Sequence, residues 1–319
     1  MKTILVTGGA GFIGSNFIRY LLEHDDTIKV INLDVLTYCG NLENLRDVEH
    51  NPRYEFVQGD ITDPIIVNTV MPRVEAVIHF AAESHVDNSI KDPVVFTKTN
   101  VLGTHVLVEV AHRHKVKRFL HMSTDEVYGS IITGSFTETD PLHPNSPYSA
   151  SKAAAELVVQ GFQRTFGFPA VIVRCSNAFG PYQYPEKVIP LFVTNLLECK
   201  KVPLYGDGRN IRDWIYVVDV CRAVEFIFRH GREGEIYNIA GTSELENRDL
   251  TSKLLSLLGK DDSSIQHVPD RLGHDRRYSV LGSKLAALGW KPQFGFENAL
   301  QETVQWYRDN VSWWQKLKK

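Results

Sequence analysis

The sequence predicts an α/β fold in which a doubly wound parallel sheet is followed by a smaller C-terminal α/β region. Short runs rich in Val, Ile and Leu alternate with stretches of helical periodicity through residues 1–175. A glycine-rich turn joins the first of these runs to the first helical stretch. Repeated strand–helix–strand units place their strands parallel and their helices on both faces, which is typical of a Rossmann-type sheet.

The individual elements follow from two different periods of apolar residues. Six runs are apolar on both faces, as expected for central strands of a parallel sheet. They are TILVTG, KVINLD, YEFVQGD, AVIHFAA, RFLHMST and AVIVRCS. The intervening stretches repeat their apolar residues with the helical period. Those stretches are SNFIRYLLEH, TNVLGTHVLVEVAHRH and SASKAAAELVVQGFQRTF.

The pattern changes in residues 176–319, which we predict to be a second region with a soft boundary. Pro181, Pro185 and Pro190 interrupt the chain within ten residues, and later signals are irregular. Two strand-like runs, LYGDGRNIRDWIYVVD and GEIYNIAG, are candidates to return to the first domain. The C-terminal WWQKLKK is expected to be a surface tail whose tryptophans pack back.

Composition excludes several classes of function. With a net charge of −3 and no basic stretch, a nucleic acid or a membrane surface is not expected as a partner. The scattered histidines and the four cysteines have no metal or disulfide spacing, so we expect no metal and free thiols. The sequence contains no run of about 18 apolar residues, so we expect no membrane span. We therefore expect a cytoplasmic protein.

The glycine-rich turn VTGGAGFIG predicts a dinucleotide site. Gly8, Gly11 and Gly14 lie between a strand and a helix, where a pyrophosphate can approach the backbone and the helix N-terminus. Asp34 ends the second strand, at the place of a ribose acceptor that favours NAD over NADP. Asp60 ends the third strand and is either an acceptor for the adenine amino group or a helix N-cap. Together these residues predict NAD binding.

A second pattern, PYSASK, predicts redox chemistry. Tyr148 precedes Lys152 by four residues, so both side chains lie on one helix face. The ammonium and the positively charged nicotinamide are expected to lower the pKa of the tyrosine toward neutrality. Thr124 ends the fifth strand beside the expected nicotinamide position. A solvated helix face is the alternative for the pair, but Thr124 completes a set that oxidises or reduces a carbinol.

These motifs together resemble the extended short-chain dehydrogenase/reductase family along nearly the whole chain. Within that family the chain resembles the dTDP-glucose 4,6-dehydratases. The segments that carry the resemblance are HFAAESHVDNSI, STDEVYG, PYSASKA, RCSN, GPYQYPEK, YGDGRNIRDW and RLGHDRRY. STDEVYG discriminates best, because related sugar-nucleotide epimerases usually lack the adjacent Asp-Glu pair.

The resemblance implies a role for the two adjacent acids. Asp125 is implied as the acid and Glu126 as the base of a water elimination across C5 and C6, after oxidation of the sugar at C4. Hydride then returns to C6, so NAD is regenerated in each turnover and stays tightly bound. Two close carboxyl groups have split pKa values, as this chemistry requires. The alternative is that both acids only begin a loop or cap a turn.

The resemblance also implies a nucleotide-diphosphate-sugar site, which shares residues with the predicted cofactor site. The predicted cofactor-binding residues are Gly8, Gly11, Phe12, Ile13, Gly14, Asp34, Asp60, Ile61, Ala81, Ala82, Ser84, Thr99, Tyr148 and Lys152. The predicted substrate-binding residues are Ser84, Thr124, Asn177, Glu186, Lys187, Arg212, Asn247, Asp270, Arg271, His274 and Asp275. A solvated basic turn is the alternative for Arg271, and a surface pair is the alternative for Glu186 and Lys187.

One departure from the resemblance concerns substrate identity. The subgroup usually has SNNYGPYQ, whereas this chain has Ala178 and Phe179, which remove an amide and a hydroxyl. UDP-glucose and UDP-N-acetylglucosamine are therefore alternative substrates. Separately from this departure, a sugar-nucleotide 4-epimerase and a catalytically silent binding protein are alternatives for the activity. Relatives of this kind pair two helices from each subunit, which predicts a homodimer through the stretches after Thr99 and from Ser149.

Overall fold

A computed structural model describes residues 2–318 of the chain. Its largest sheet has seven parallel strands in the order β10-β6-β5-β4-β1-β2-β3. The strands are β1 (Lys2–Thr7), β2 (Ile28–Asp34), β3 (Tyr54–Gln58), β4 (Ala76–His79), β5 (Arg118–Thr124), β6 (Ala170–Cys175) and β10 (Ile236–Ile239). The order reverses beside β1, so a crevice opens at the carboxyl ends of β1 and β4, where such sheets bind their ligands. The predicted doubly wound sheet is confirmed.

Two short sheets hold the later strands. One has the order β11-β9-β7 and contains β7 (Asn177–Phe179), β9 (Ile211–Tyr216) and β11 (Ser243–Glu246). The other pairs β8 (Val202–Tyr205) with β12 (Ile265–Val268). The run GEIYNIAG therefore returns to the main sheet as β10, whereas LYGDGRNIRDWIYVVD forms β8 and β9 and does not. The strands of that run instead find partners outside the main sheet, since β8 pairs with β12 and β9 pairs with β7 and β11.

Helices cover both faces of the main sheet and extend into the second region. They are α1 (Phe12–His24), α2 (Pro64–Val70), α3 (Val86–Lys91), α4 (Pro93–Phe96), α5 (Thr104–Arg113), α6 (Pro147–Phe166), α7 (Val188–Leu197), α8 (Val217–His230), α9 (Asn247–Leu258), α10 (Ser283–Ala287), α11 (Phe296–Asp309) and α12 (Val311–Gln315). A π-helical segment over Thr97–Gly103 leads into α5, and short 3-10 turns include Asp125–Tyr128 directly after β5. None of the helices in residues 2–318 is both long and apolar enough to cross a membrane.

The core consists of two apolar layers, one on each face of the main sheet. Alternate residues of β1 point to opposite sides, so Ile4 and Val6 pack in the layer with α1 and α8, and Leu5 packs in the layer with α2 and α5. The first layer continues into the second region through Trp314, which is 1% exposed. The tryptophans of the tail therefore pack back, as predicted, and join the two parts of the chain.

Candidate active site

The glycine-rich turn after β1 has the backbone that a pyrophosphate site requires. Gly8 has a φ of +70°, and a Cβ on it would lie 2.6 Å from the backbone of Ala81. A Cβ on Gly14 would lie 2.3 Å from the Gly8 carbonyl oxygen. Gly11 precedes α1 and supplies no side-chain cap, so the first amides of the helix remain available to an anion. The turn therefore fits the diphosphate of NAD.

Asp34 lies at the end of β2 with both carboxylate oxygens engaged. Oδ2 accepts a hydrogen bond from the Ala10 amide at 2.9 Å, and Oδ1 accepts one from the Leu36 amide at 2.8 Å. Burial raises the pKa of Asp34, and the two backbone hydrogen bonds oppose that shift. Each carboxylate oxygen keeps a second lone pair. Asp34 thus organises both flanking loops and retains the capacity to accept hydroxyl groups.

Asp60 follows β3 and also lines the cofactor side. Its Oδ1 accepts a hydrogen bond from the Thr62 amide at 2.8 Å. The N-cap of α2 is instead Asp63, which accepts a hydrogen bond from the Ile65 amide at 2.8 Å. The helix-cap interpretation of Asp60 is therefore wrong, because the helix begins after Asp63. Asp60 shapes the turn before the helix and faces the cavity.

Every predicted cofactor-binding residue lines one cavity at the carboxyl ends of the main strands. These residues come from several separate parts of the sequence, which the parallel sheet brings to one edge. We call this space the cofactor cavity. Its wall also includes residues that the sequence did not single out. Those additional residues include Leu33, Val35, Thr37, Cys39, Gly40, Gly59, Glu83, Ser123 and Ser176.

The five predicted catalytic residues lie together on the floor of this cavity. Thr124 ends β5, and its hydroxyl accepts a hydrogen bond from the Glu126 amide at 3.2 Å, which starts the 3-10 turn. Asp125 is 2% exposed, and its Oδ2 has no hydrogen-bond partner among residues 2–318. A buried, unpartnered carboxyl oxygen is costly unless a ligand or a proton satisfies it.

Helix α6 places the other two groups. Ser146 caps it through reciprocal hydrogen bonds with Ser149, so the helix begins just before Tyr148. One turn later, the Lys152 ammonium donates a hydrogen bond to the Met122 carbonyl oxygen at 2.6 Å. Tyr148 and Lys152 are buried beneath the cavity rather than solvated. The solvated-face alternative for this pair is therefore wrong.

The two adjacent acids differ in their surroundings. Burial, and then the negative charge of Glu126, raise the pKa of Asp125 well above its ordinary value. Burial also raises the pKa of Glu126, but the positive charges of Lys187 and Arg212 oppose that shift. Burial and a negatively charged neighbour therefore favour the protonated form of Asp125, and two nearby cations favour the ionised form of Glu126. These surroundings agree with an acid at Asp125 and a base at Glu126.

The expected shift of the tyrosine is not what the protein's own residues produce. Burial, and then the charge of Glu126, raise the pKa of Tyr148, while the Thr124 hydroxyl acts in the opposite sense. Burial also lowers the pKa of Lys152 to about 8. The predicted shift toward neutrality is therefore not produced by the protein alone, because burial is the largest influence on the phenol. A positive charge in the cofactor cavity is needed to favour the phenolate.

Most predicted substrate-binding residues line a second cavity, which we call the substrate cavity. It adjoins the cofactor cavity, and Glu126 lines both. The predicted residues on its wall are Asn177, Glu186, Lys187, Arg212, Asn247, Arg271 and His274. Ser84 and Thr124 lie on the cofactor side of the boundary. Because Glu186 and Lys187 line both cavities, the surface-pair alternative for them is wrong.

Asp270 and Asp275 lie behind the wall of the substrate cavity and do not line it. Asp270 pairs with the Nδ1 atom of His274 at 2.6 Å. Asp275 accepts hydrogen bonds from Asn145 Nδ2 and from the Tyr278 hydroxyl, both at 2.6 Å. Each acid therefore holds a lining side chain in place. Their direct contact with substrate remains a prediction.

The arginines of the substrate cavity are positioned by partners distant in sequence. Arg271 Nε lies 2.6 Å from Asp87 Oδ1. Arg212 donates to the Ile211 and Asp275 carbonyl oxygens at 2.7 and 3.0 Å, and its guanidinium lies 4.2 Å from the centre of the Tyr278 ring. The solvated-turn alternative is wrong for Arg271. A guanidinium held in this way can still donate hydrogen bonds to a diphosphate through its remaining N–H groups.

Several lining residues were missed by sequence reasoning. Asp87, Tyr205 and Tyr278 all line the substrate cavity or hold its arginines. Asp87 belongs to the segment HFAAESHVDNSI, which contributed to the resemblance, but no spacing rule marks it as the partner of Arg271. The pairing joins residues 184 positions apart, so only the folded chain reveals it.

The two departures from the family pattern have different surroundings. Ala178 lines both cavities. Phe179 is fully buried and packs against Trp214, Tyr216 and Phe296, with ring centres 5.4–6.3 Å apart. Phe179 is therefore a core residue, and a hydroxyl there would not line either cavity. Only Ala178 can affect ligand binding directly.

The fold and this pair of cavities define an extended short-chain dehydrogenase/reductase with a dinucleotide site and a separate ligand site. A family model described as GDP-mannose 4,6 dehydratase matches residues 5–303. The dTDP-glucose 4,6-dehydratase of an Actinoplanes species is 51% identical, covering 98% of this chain and 99% of its own. The chain therefore belongs to the nucleotide-sugar 4,6-dehydratase family.

Solved structures agree with this assignment. The dTDP-glucose 4,6-dehydratase of Streptomyces venezuelae, with NAD bound, has a TM-score of 0.98 and is 53% identical, covering 99% of this chain and 100% of its own. The UDP-glucose 4-epimerase of Thermus thermophilus, in complex with NAD, has a TM-score of 0.90 and is 32% identical, covering 97% and 100%. The fold is thus shared by dehydratases and epimerases, and the sites must distinguish them.

Proposed function

We propose that the protein is an NAD-dependent dTDP-glucose 4,6-dehydratase, a hydro-lyase that forms dTDP-4-keto-6-deoxyglucose and water. The single observation that carries the proposal is the position of Asp125 and Glu126. They follow Thr124 at the boundary of the two cavities, within the same cavity wall as Tyr148 and Lys152. An epimerase has no elimination to catalyse and no need for this pair. The high identity to dehydratases supports the same conclusion.

The cofactor cavity fits NAD in its residues as well as its shape. The Gly8–Gly14 turn suits the pyrophosphate, and Asp34 suits a ribose without a 2′-phosphate. Asp60 and Ile61 line the cavity near the end of β3. When bound there, NAD accepts the hydride from C4 and later supplies one to C6. We propose that it stays bound between turnovers, because each turnover restores it.

The side chains then divide the proton transfers among themselves. Tyr148 takes the proton of the C4 hydroxyl as a phenolate, which the Lys152 ammonium and the positive charge of bound NAD together would favour before that step. The ketone acidifies the C5 hydrogen, which Glu126 removes as a proton. Asp125 donates its proton to the C6 hydroxyl, which leaves as water. Glu126 finally returns its proton to C5 as hydride reaches C6, and the C4 ketone is kept in the product. The proton taken up by Tyr148 then replaces the one that Asp125 gave to the leaving water, which restores both groups.

The substrate cavity supplies the charge that a nucleotide diphosphate needs. Arg212, Arg271 and Lys187 contribute positive groups around its wall. Arginine donates in pairs to phosphate oxygens, which favours it at such a site. Leu204 and Tyr205 add apolar and aromatic surface suited to a base. These features support a nucleotide-diphosphate sugar as the substrate class.

The proposal is tested by product mass. Purified protein, without added NAD, is incubated separately with dTDP-glucose, UDP-glucose and UDP-N-acetylglucosamine. Loss of one water from dTDP-glucose is the expected result, and activity without added NAD indicates a retained cofactor. Loss of water only from a UDP sugar would keep the chemistry and change the substrate. Formation of a C4 isomer by NMR, without water loss, would overturn the dehydratase in favour of an epimerase.

We also propose a homodimer formed through the α6 surface and its neighbours. Leu157 on α6 is 58% exposed, and Leu102 in the π-helical segment is 50% exposed. The two segments pack against each other, and each carries an exposed leucine. A shared interface would remove them from water. Sedimentation at working concentration should give twice the monomer mass, and Leu157→Glu should lower it to the monomer mass.

We propose a reducing, cytoplasmic location as well. All four cysteines are free, and two of them are buried in the core. Free buried thiols suit a compartment that keeps cysteines reduced. Cell fractionation that recovers the protein outside the cytoplasmic fraction would contradict this proposal.

A further inference from the structure

Two segments that line the cofactor cavity are connected through one side chain, the carboxylate of Glu186. The cofactor-side loop, residues 35–41, follows β2 and contributes to the cavity wall. The bridging segment, residues 182–187, contributes Glu186 and its neighbours to the walls of both cavities. The Tyr38 hydroxyl donates a hydrogen bond to Glu186 Oε1 at 2.9 Å and so connects the two segments.

The cofactor-side loop has a fixed base from which Tyr38 reaches across. Asp34 accepts a hydrogen bond from the Leu36 amide, and Leu36 has a φ of 60°. The Asn41 amide donates to the Ala10 carbonyl oxygen at 3.0 Å. Both ends of the loop are therefore attached to the β2 end and the glycine-rich turn. The middle of the loop, which contains Tyr38, is the part that extends to the other side of the cavity.

The bridging segment is attached at other points as well. The Lys187 ammonium donates to the Ser84 carbonyl oxygen at 2.7 Å, and the Tyr184 hydroxyl donates to the Leu317 carbonyl oxygen at 3.1 Å. The Tyr38 and Tyr184 rings meet edge to face, with centres 5.4 Å apart. The segment is therefore a fixed surface against which the loop can close.

Glu186 accepts one strong and one weak hydrogen bond from the cofactor-side loop. The tyrosine hydroxyl is 2.9 Å from Oε1, whereas Cys39 Sγ is 3.7 Å from the same atom. A thiol is a weak donor, so Tyr38 supplies most of the connection. Asn88 Nδ2 donates to the Tyr38 hydroxyl at 3.3 Å, which orients that hydroxyl toward Glu186.

We propose that Tyr38, through its hydrogen bond to Glu186, closes the cofactor cavity and holds NAD in the protein between turnovers. Tyr38 does not line either cavity. It acts as a positioning residue, by keeping the cofactor-side loop against the bridging segment. The inference rests on the proposed function, in which the enzyme restores its cofactor and has no reason to release it. Opening of the connection would then govern the escape of NAD.

The experiment measures NAD release directly. Holoenzyme loaded with isotope-labelled NAD is diluted into excess unlabelled NAD, and the label that stays with the protein is followed over time. Tyr38→Phe should release the label about tenfold faster than wild type, as expected for loss of a hydrogen bond to a carboxylate. Asn88→Ala should release it faster by a smaller factor. Tyr20→Phe is the matched control, because Tyr20 stacks on His24 and lines neither cavity.

Additional measurements separate positioning from a general structural role. In Tyr38→Phe the rate of NAD release should change by a larger factor than kcat at saturating NAD, and the apoenzyme should melt at the wild-type temperature. Wild-type release kinetics in Tyr38→Phe would overturn the inference. An equal acceleration in Tyr20→Phe would overturn it as well. Release is measured without any reaction, so it can be interpreted even if the wild-type protein removes no water from any sugar nucleotide.

Discussion

The cofactor cavity and the substrate cavity meet at Glu126, but they are built from different kinds of structure. The cofactor cavity uses backbone at the ends of parallel strands, with side chains such as Asp34 close to their partners in sequence. The substrate cavity uses side chains from later segments, held by contacts such as that between Arg271 and Asp87. The first site is therefore assembled from short local motifs that the parallel sheet brings to one edge, and the second depends on side-chain contacts between distant segments.

The different surroundings of the two cavities also explain why we place the reaction at the boundary between them. The redox pair Tyr148 and Lys152 belongs to the cofactor side, where burial dominates the pKa of each group. Glu126 lies within reach of the positive charges of the substrate side. Burial and the negative charges of Glu126 and Asp213 raise the pKa of Asp125, and Arg212 opposes that shift. Neighbouring residues thus acquire different chemistry because they face different cavities.

We expect the largest effect on the rate from a substitution at the boundary between the two cavities. Asp125→Asn should keep NAD bound but slow dehydration about a thousandfold, because a general acid contributes on the order of 10²–10⁴ in rate. Product mass and bound NAD are measured on the same sample. Asp140→Asn, outside both cavities, is the matched control. Near-normal turnover of the Asp125→Asn variant would remove the acid role from Asp125.

Gly14→Ala should weaken NAD binding without changing the substrate cavity. The new Cβ would lie 2.3 Å from the Gly8 carbonyl oxygen and 2.7 Å from Gly9 Cα, so the turn must shift. Overpacking of about 1–3 kcal/mol predicts NAD binding weaker by about tenfold to a hundredfold. Titration of apoenzyme with NAD measures the change. Gly161→Ala is the control, since no atom lies within 4 Å of its Cβ position, and unchanged affinity of Gly14→Ala would contradict the fit.

Arg271→Met should weaken the substrate side without affecting the cofactor side. Removing the guanidinium takes the arginine partner from Asp87 and one donor group from the cavity. We expect the KM for the nucleotide sugar to rise about tenfold, while NAD affinity stays unchanged. Arg276→Met is the control, because Arg276 pairs with Asp207 outside the cavity. Equal effects on NAD and on substrate would show that the two sides are not separable.

The smallest effect concerns stability on the cofactor side. Burial lowers the pKa of Lys152 from 10.5 to about 8, so the unfolded chain binds more protons than the folded protein between those values. The contribution of Lys152 to the free energy of unfolding should therefore increase with pH, by about 1 kcal/mol from about pH 7 to about pH 9. Apoenzyme wild type and Lys152→Met are compared by denaturant unfolding. A difference between them that does not change over this range would contradict the buried, protonated lysine.

Much of the fold could be predicted from the sequence because its signals are local. The six apolar runs and the glycine-rich turn require only the order of neighbouring residues, and all six become strands of the main sheet. The adjacency of Thr124, Asp125 and Glu126 is likewise given by the chain. The spacing of Tyr148 and Lys152 places both on one helix face. Short-range order is enough for these features, since backbone geometry converts it directly into position.

Other features were decided only by the tertiary structure, because they depend on contacts between residues far apart in the sequence and on burial. The destination of LYGDGRNIRDWIYVVD in the small sheets, the pairing of Arg271 with Asp87 and the link from Tyr38 to Glu186 join segments that no sequence spacing relates. The pKa of Tyr148 is likewise raised by burial and then by the charge of Glu126, neither of which the spacing of Tyr148 and Lys152 reveals. Sequence order determines local geometry, whereas long-range contacts and desolvation exist only once the chain has folded.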